Sequence, residues 1–239
     1  MTRMHINLVV LASMLGQTAV AADKPTPTTA KEALKAFNDL IGSWRATGTP
    51  EGTRQEKLRG FWTETMNWEW QFKGSDAWLK VRFDKGKYFS GGELRYLPEK
   101  NLFQFTLQTP AKETMAFTGP LKNRVLTVER LDDKKKEMQR LVFTLLHSNR
   151  FIYRYEVKPP DRHLFVRLYE VGVTKDGEAF AGPGNAAPEC IVSGGLGTIR
   201  VTFNGKDYYV CCSGCRTAFK EEPEKFIKEF EEKQKSKSR

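Results

Sequence analysis

The chain has 239 residues, 39% of them hydrophobic and 28% charged, with a formal net charge of +10. That length suits one large domain or two small ones, and no second long apolar stretch follows the N-terminus, so only the N-terminus can engage a membrane-insertion machinery. Lys and Arg are spread along the chain before they concentrate from Lys233 to Arg239. This is the pattern of a solvated surface rather than a nucleic-acid stripe, and nucleic acid is not expected as a partner.

At the N-terminus Arg3 precedes the apolar run Leu8-Val9-Val10-Leu11-Ala12, and Ala19-Val20-Ala21 offers small residues at both cleavage-specifying positions. A positive, then apolar, then small-residue order is that of a secretory signal, and the apolar run is too short for the about 20 residues of a transmembrane helix. Residues 1–21 are therefore read as a signal peptide and the mature chain as starting near Ala22. The expected location is periplasmic or secreted, with no integral membrane segment in the mature chain. Residues 22–30, with Lys24-Pro25-Thr26-Pro27-Thr28, read as a linker.

Thr29 followed three residues later by Glu32 is a capping-box signature, and Leu34, Phe37, Leu40 and Ile41 recur at helical spacing. A short helix ending at Gly42 follows. From Trp44 the period changes to two. Met66, Trp68, Trp70 and Phe72 alternate with polar residues, as do Leu79, Val81 and Phe83, then Phe103, Phe105 and Leu107. Further runs are Leu126 and Val128; Leu141, Phe143 and Leu145; Phe151, Tyr153 and Tyr155; and Leu164, Val166 and Leu168. Each predicts a strand with one face in and one face out. Turn clusters such as Lys73-Gly74-Ser75-Asp76 and Asp132-Asp133-Lys134 separate them.

Eight to ten strands in succession, with short connections and no intervening helices, must pair antiparallel. Such a meander curls and closes, which removes its exposed edges. The expected architecture of residues 31–176 is an up-and-down β-barrel, with a two-sheet sandwich as the alternative. The segment Phe37 to Gly48, with Gly42-Ser43-Trp44 at the helix-to-strand junction, resembles the Gly-x-Trp opening of lipocalin-like (calycin) barrels. That resemblance implies that Trp44 plugs the closed end beneath the N-terminal helix. The aromatic inward faces either fill a dry core or leave a pocket for an apolar small molecule at the open end. Lipocalin-like barrels have haem-binding relatives with a His near the last strands, where His163 lies; a lone His at a strand edge reads more simply as a solvated residue.

No catalytic constellation is present in the sequence: no nucleophile-elbow Ser, no His with a carboxylate at helical spacing, no glycine-rich phosphate loop ahead of a helix. The chain is not expected to be an enzyme.

Residues 177–188, rich in Gly, Pro and small side chains, read as a second linker. All four cysteines follow it: Cys190, Cys211, Cys212 and Cys215. A hairpin is predicted from Thr198 to Val210 around Asn204-Gly205, the strongest short hairpin turn. It returns the chain so that Cys190 can face Cys211, with Cys215 one helical turn further on. A helix starts at Arg216 and is broken by Pro223, and Phe226, Ile227 and Phe230 mark another. The helix N-terminus and Arg216 are expected to lower the Cys215 thiol pKa. Thiolates select soft ions such as Zn²⁺ and Cu⁺, and three fixed ligands leave a fourth position for Cys212, water or another residue. The competing reading is disulfide pairing, which an oxidising compartment allows; Cys211 and Cys212, adjacent in the chain, are poor partners for one another.

The block Cys190-Ile191-Val192-Ser193-Gly194, Gly205 through Cys215, Phe219 and Pro223-Glu224-Lys225-Phe226 resembles the YHS/TRASH family of small metal-binding modules. The resemblance implies a treble-clef-like knuckle and helix over residues 189–230, with Cys190, Cys211 and Cys215 as ligands and Cys212 as an accessory. Residues 231–239 are read as a basic tail. The expectation is thus a mainly β protein, a lipocalin-like barrel joined to a small β-hairpin/α module. Its expected role is to capture or sense zinc or copper(I). The rival is a carrier of an apolar small molecule with a disulfide- or zinc-stabilised appendage. A thiol oxidoreductase using Cys212 and Cys215 ranks last, because the sequence lacks a thioredoxin-type βαβ context.

Overall fold

The computed structural model describes residues 29–176 and 188–237. The expected signal peptide over 1–21, nearly all of both expected linkers and the last two residues lie outside the described residues. Among the described residues no helix is long and apolar enough to cross a membrane.

Helix α1 (Ala30–Leu34) is capped by Thr29, whose side chain accepts from the Glu32 amide. It tightens into a 3-10 segment over Lys35–Leu40. The reason lies in the spacing: Leu34, Phe37 and Leu40 are three apart, so a three-residue turn stacks all of them on the barrel. The strands follow: β1 (Gly42–Pro50), β2 (Trp62–Lys73), β3 (Asp76–Asp84), β4 (Gly91–Leu97), β5 (Leu102–Gln108), β6 (Thr114–Gly119), the two-residue β7 (Leu121–Lys122), β8 (Val125–Asp132), β9 (Glu137–His147), β10 (Arg150–Lys158) and β11 (Val166–Lys175). Apart from β6 and β7, neighbours in sequence are neighbours in the sheet, β1 also pairs with β11, and β6 meets β8 at Thr118 and Glu129. The ring closes as ten antiparallel strands, with β7 beside β8. At that seam the Cα of Gly119 comes so near the Thr127 carbonyl that a Cβ would lie 2.0 Å from its oxygen, a place only glycine fills.

Trp44 is buried beneath the N-terminal helix, its indole N–H donating to the Leu40 carbonyl at 2.6 Å and its ring edge-on to Phe151 at 4.9 Å. Trp68, Phe105, Phe117, Leu126, Val128, Phe151 and Tyr153 fill the interior with side chains at most 2% exposed. Near the opposite end one carboxylate joins them. Glu64 is 4% exposed and accepts from the Tyr153 hydroxyl at 2.7 Å, the Trp62 indole at 3.1 Å and the Lys87 amide at 3.1 Å. Three donors offset the cost of removing this acid from water.

Three sequence expectations need correction. A helix, α2 (Arg54–Gly60), does intervene between β1 and β2, held by a complete capping box between Thr53 and Glu56. Leu164, Val166 and Leu168 do not face inward: they are 78%, 39% and 44% exposed, and β11 buries Tyr169, Val171 and Val173 instead. The β10–β11 register shifts between Tyr155 and Glu156, and a shift of one residue sends the other set of side chains into the core. The last helix also runs past Phe230, through the residues expected as a basic tail, because its Glu, Lys and Gln residues are good helix formers.

The C-terminal segment contains β12 (Ile199–Phe203), β13 (Lys206–Val210), α3 (Ser213–Glu221) and α4 (Pro223–Lys237). Asn204 and Gly205 both have positive φ, 49° and 75°, as a type I′ turn demands. This knuckle, hairpin and helix, a treble-clef-like arrangement, does not stand apart from the barrel. Phe219, Phe226 and three of the cysteines belong to the same buried cluster as the barrel interior.

Candidate metal centre

Two separate pieces of chain supply the thiols. The first is the turn after Glu189, which forms a single antiparallel bridge with Leu196. The Cys190 amide donates to Gly195 and the Gly194 amide to the Cys190 carbonyl, at 2.6 and 2.8 Å, so the loop folds over the Cys190 sulfur. Gly194 turns the chain with φ of 74°. The second piece is the start of α3, whose N-cap is Cys212 and whose third residue is Cys215. The β12–β13 hairpin joins the two, and the Ile191 amide bonds the Tyr209 carbonyl at 2.9 Å. Ring contacts of Phe219 with Tyr208 and Phe203 fix the angle between hairpin and helix.

As a result the sulfurs of Cys190, Cys211 and Cys215 lie within 4.8 Å of one another. Cys211 and Cys215 are 3.4 Å apart. An ion bound at about 2.3 Å in a tetrahedron separates its sulfurs by about 3.8 Å, so small shifts of these three suffice to grip one. All four thiols are free. Cys190 and Cys215 are fully buried, and Cys211 is partly exposed. Cys212 lies beside the trio rather than in it. Its sulfur is 3.8 Å from that of Cys211 and accepts from the Trp70 amide of the barrel at 3.4 Å.

The protons are distributed unevenly. Donation from the Cys211 and Cys215 thiols holds Cys190 far below an ordinary thiol, and donation from the same pair does so for Cys212. Cys211 is raised by bonding to Cys190 and Cys212. Cys215 is raised too, foremost by burial. The expectation of a lowered Cys215 is therefore overturned. Burial of the Cys215 sulfur, followed by its bonding to Cys190, Cys211 and Cys212, raises it, while Arg216 is exposed.

The sequence did not point to the polar frame around these sulfurs. The Ser193 amide donates to Cys190 Sγ at 3.5 Å, and Ser193 Oγ lies 3.4 Å from Cys211 Sγ. Asn38, from the segment after α1, donates to the Ser193 carbonyl at 3.1 Å and accepts from the Trp70 indole at 3.0 Å. A cleft of about 590 Å³ between α1 and α4 is lined by Cys190, Ile191 and Phe230, with Lys31, Glu229 and Lys233 around it. Lys31 pairs with Glu229 at 2.9 Å, and Lys233 with Glu189. His163, weighed in the sequence as a haem ligand against a solvated residue, is exposed on the loop before β11 and is not part of the thiol cluster.

Compared with known proteins, the chain matches no family model and no curated protein. Among solved structures it is similar to that of EF1p2_mFAP2b bound to DFHBI, at 12% identity and a TM-score of 0.26, covering 59% of this chain and 98% of that one. A score so low supports no inference about ligand or activity.

Proposed function

We propose that this chain is an exported, non-catalytic protein whose cysteine centre captures or senses a soft metal ion, zinc or copper(I), on a barrel scaffold. One observation carries the reading: three sulfurs from two separate chain segments converge within 4.8 Å. A disulfide needs two sulfurs, whereas a third brought to the same point and held there by Ser193 is what an ion requires. The residues also resemble the YHS/TRASH pattern in order, a resemblance that implies Cys190, Cys211 and Cys215 as the ligands. Export rests on the order of charged, apolar and small residues in 1–21. A scaffold role for the barrel, over that of a small-molecule carrier, is favoured by an interior already filled with Trp, Phe and Tyr side chains.

Native mass spectrometry of the mature chain, with and without a thiol reductant, tests this reading. One zinc or copper(I) ion per reduced chain is expected, lost in Cys215→Ser. An unchanged metal content in that variant overturns the ligand assignment, and a copurified organic molecule without metal supports the carrier instead.

A further inference from the structure

Strand β2 continues past the start of β1, since Gly42 already stands opposite Trp68. The backbone of Trp70 therefore projects beyond the pairing that β1 provides. The cysteine module occupies that ledge. The Trp70 amide donates to Cys212 Sγ, and Gly214 lies so close that a Cβ there would be 1.6 Å from the Trp70 carbonyl oxygen. The start of α3, which carries Cys215, is thereby seated on the barrel.

The other half of the centre has its own tie. Asn38 holds the Ser193 carbonyl, while Ser193 bonds the sulfurs of Cys190 and Cys211. The same Asn38 accepts from the Trp70 indole, and its side chain also packs against Gly195, where a Cβ would lie 3.0 Å away. Trp70 is fully buried, so this indole bond is set by the barrel core rather than by solvent. One barrel residue thus reaches both halves: its main chain touches the helix that bears Cys215, and its indole, through Asn38, touches the loop that bears Cys190.

We propose that the barrel completes the metal centre, so that ion capture and seating of the module on the barrel are one coupled event, with Asn38 as the positioning residue between them. This rests on the metal-binding reading above. It goes further by making the barrel the element that responds to the ion. An ion joining Cys190 to Cys211 and Cys215 fixes the loop and the helix relative to each other. The arrangement in the structure also satisfies Asn38 and the Trp70 ledge. By linkage, whatever factor the seated barrel adds to ion affinity, the ion adds to seating. The centre then reports occupancy to the barrel, which is the behaviour of a sensor rather than of a buffer.

The test uses the full mature chain, reduced, with Co²⁺ as a spectroscopic probe and Zn²⁺ in competition. Asn38→Ala is expected to retain the thiolate-to-cobalt absorption and the stoichiometry of wild type, while its affinity falls about 10–100-fold, as for other residues that orient metal ligands. Wild-type affinity in a folded Asn38→Ala overturns the proposal. Should that variant fail to fold, the wild-type chain decides: Zn²⁺ must shift the NMR resonance of the Trp70 indole N–H and slow its exchange with solvent. An indole signal unchanged at saturating zinc also overturns it. If wild type takes up neither ion, the metal-binding reading itself fails, an outcome distinct from wild-type binding that ignores Asn38.

Discussion

The amide of Trp70 in β2 donates to the sulfur of Cys212 at 3.4 Å, so a barrel strand and the cysteine module share a hydrogen bond at the edge of the thiol cluster. Cys212 thus sits at the rim of the trio, bonded on one side to the barrel and on the other to its neighbour Cys211. The two adjacent cysteines have different surroundings, one within the trio and the other against the barrel.

Cys212→Ser separates the two. Serine is a good N-cap, so α3 keeps its start. The stoichiometry of bound zinc is expected to stay that of wild type, with affinity lower by about 10-fold because a residue outside the trio has changed. Competition against a chelator measures this. A loss as complete as that of Cys215→Ser would instead make Cys212 a full ligand.

Gly214→Ala tests the seating of α3. Alanine favours a helix over glycine by about 1 kcal/mol, so an isolated helix would gain. Here the added Cβ meets the Trp70 carbonyl oxygen at 1.6 Å, main chain that cannot swing aside. Overpacking of this kind costs about 1–3 kcal/mol, and a lower melting temperature together with weaker zinc binding is expected. A melting temperature raised by the helix gain would show that α3 does not press on β2.

Much of this architecture was legible because period-two alternation survives wherever a strand has one wet and one dry face, as in β2, β3 and β5. Strand β11 did not yield to the same reading. Leu164, Val166 and Leu168 alternate as well as Tyr169, Val171 and Val173 do, in opposite parity, and only the shifted pairing with β10 decides which set is buried. Helix α2 carries a local signal in Thr53 and Glu56, one short capping box set among long strands. The thiols were legible from their clustering and from the Asn204-Gly205 turn that brings them together. Asn38 was not, for its bond to Ser193 spans 155 positions and nothing in its neighbours along the chain foretells it.

Trp44 joins helix and barrel, and Trp44→Phe would remove both the bond to the Leu40 carbonyl and part of a ring that is 1% exposed. An unpaired buried carbonyl and a small cavity together cost about 2–4 kcal/mol. Denaturant unfolding is expected to give a lower midpoint with an unchanged slope, the two together amounting to that loss of free energy. Because Asn38 lies in the segment that Trp44 anchors, zinc affinity should fall alongside stability. Equal zinc affinity in both proteins would show that the anchor and the metal centre are independent.

Tyr153 sets an alkaline limit on the fold. Its phenol donates to the buried Glu64 carboxylate at 2.7 Å, and burial, followed by the charge of Glu64, pushes its pKa well above the ordinary value near 10. Burial raises Tyr169 in the same way. The folded state therefore holds these protons more tightly than the unfolded chain does. Their contribution is fully present below about pH 10 and is lost as pH rises beyond it, because the unfolded chain then releases protons that the fold retains. Tyr153→Phe is expected to cost about 1–3 kcal/mol at neutral pH, since Glu64 loses one of its three donors while staying buried. The same substitution should make the decline in stability above pH 10 shallower, leaving the part that Tyr169, Tyr155 and Tyr88 supply, all of them raised by burial. Unfolding curves of both proteins at neutral and strongly alkaline pH measure the difference, and parallel declines would show that the Tyr153 proton does not control the alkaline limit.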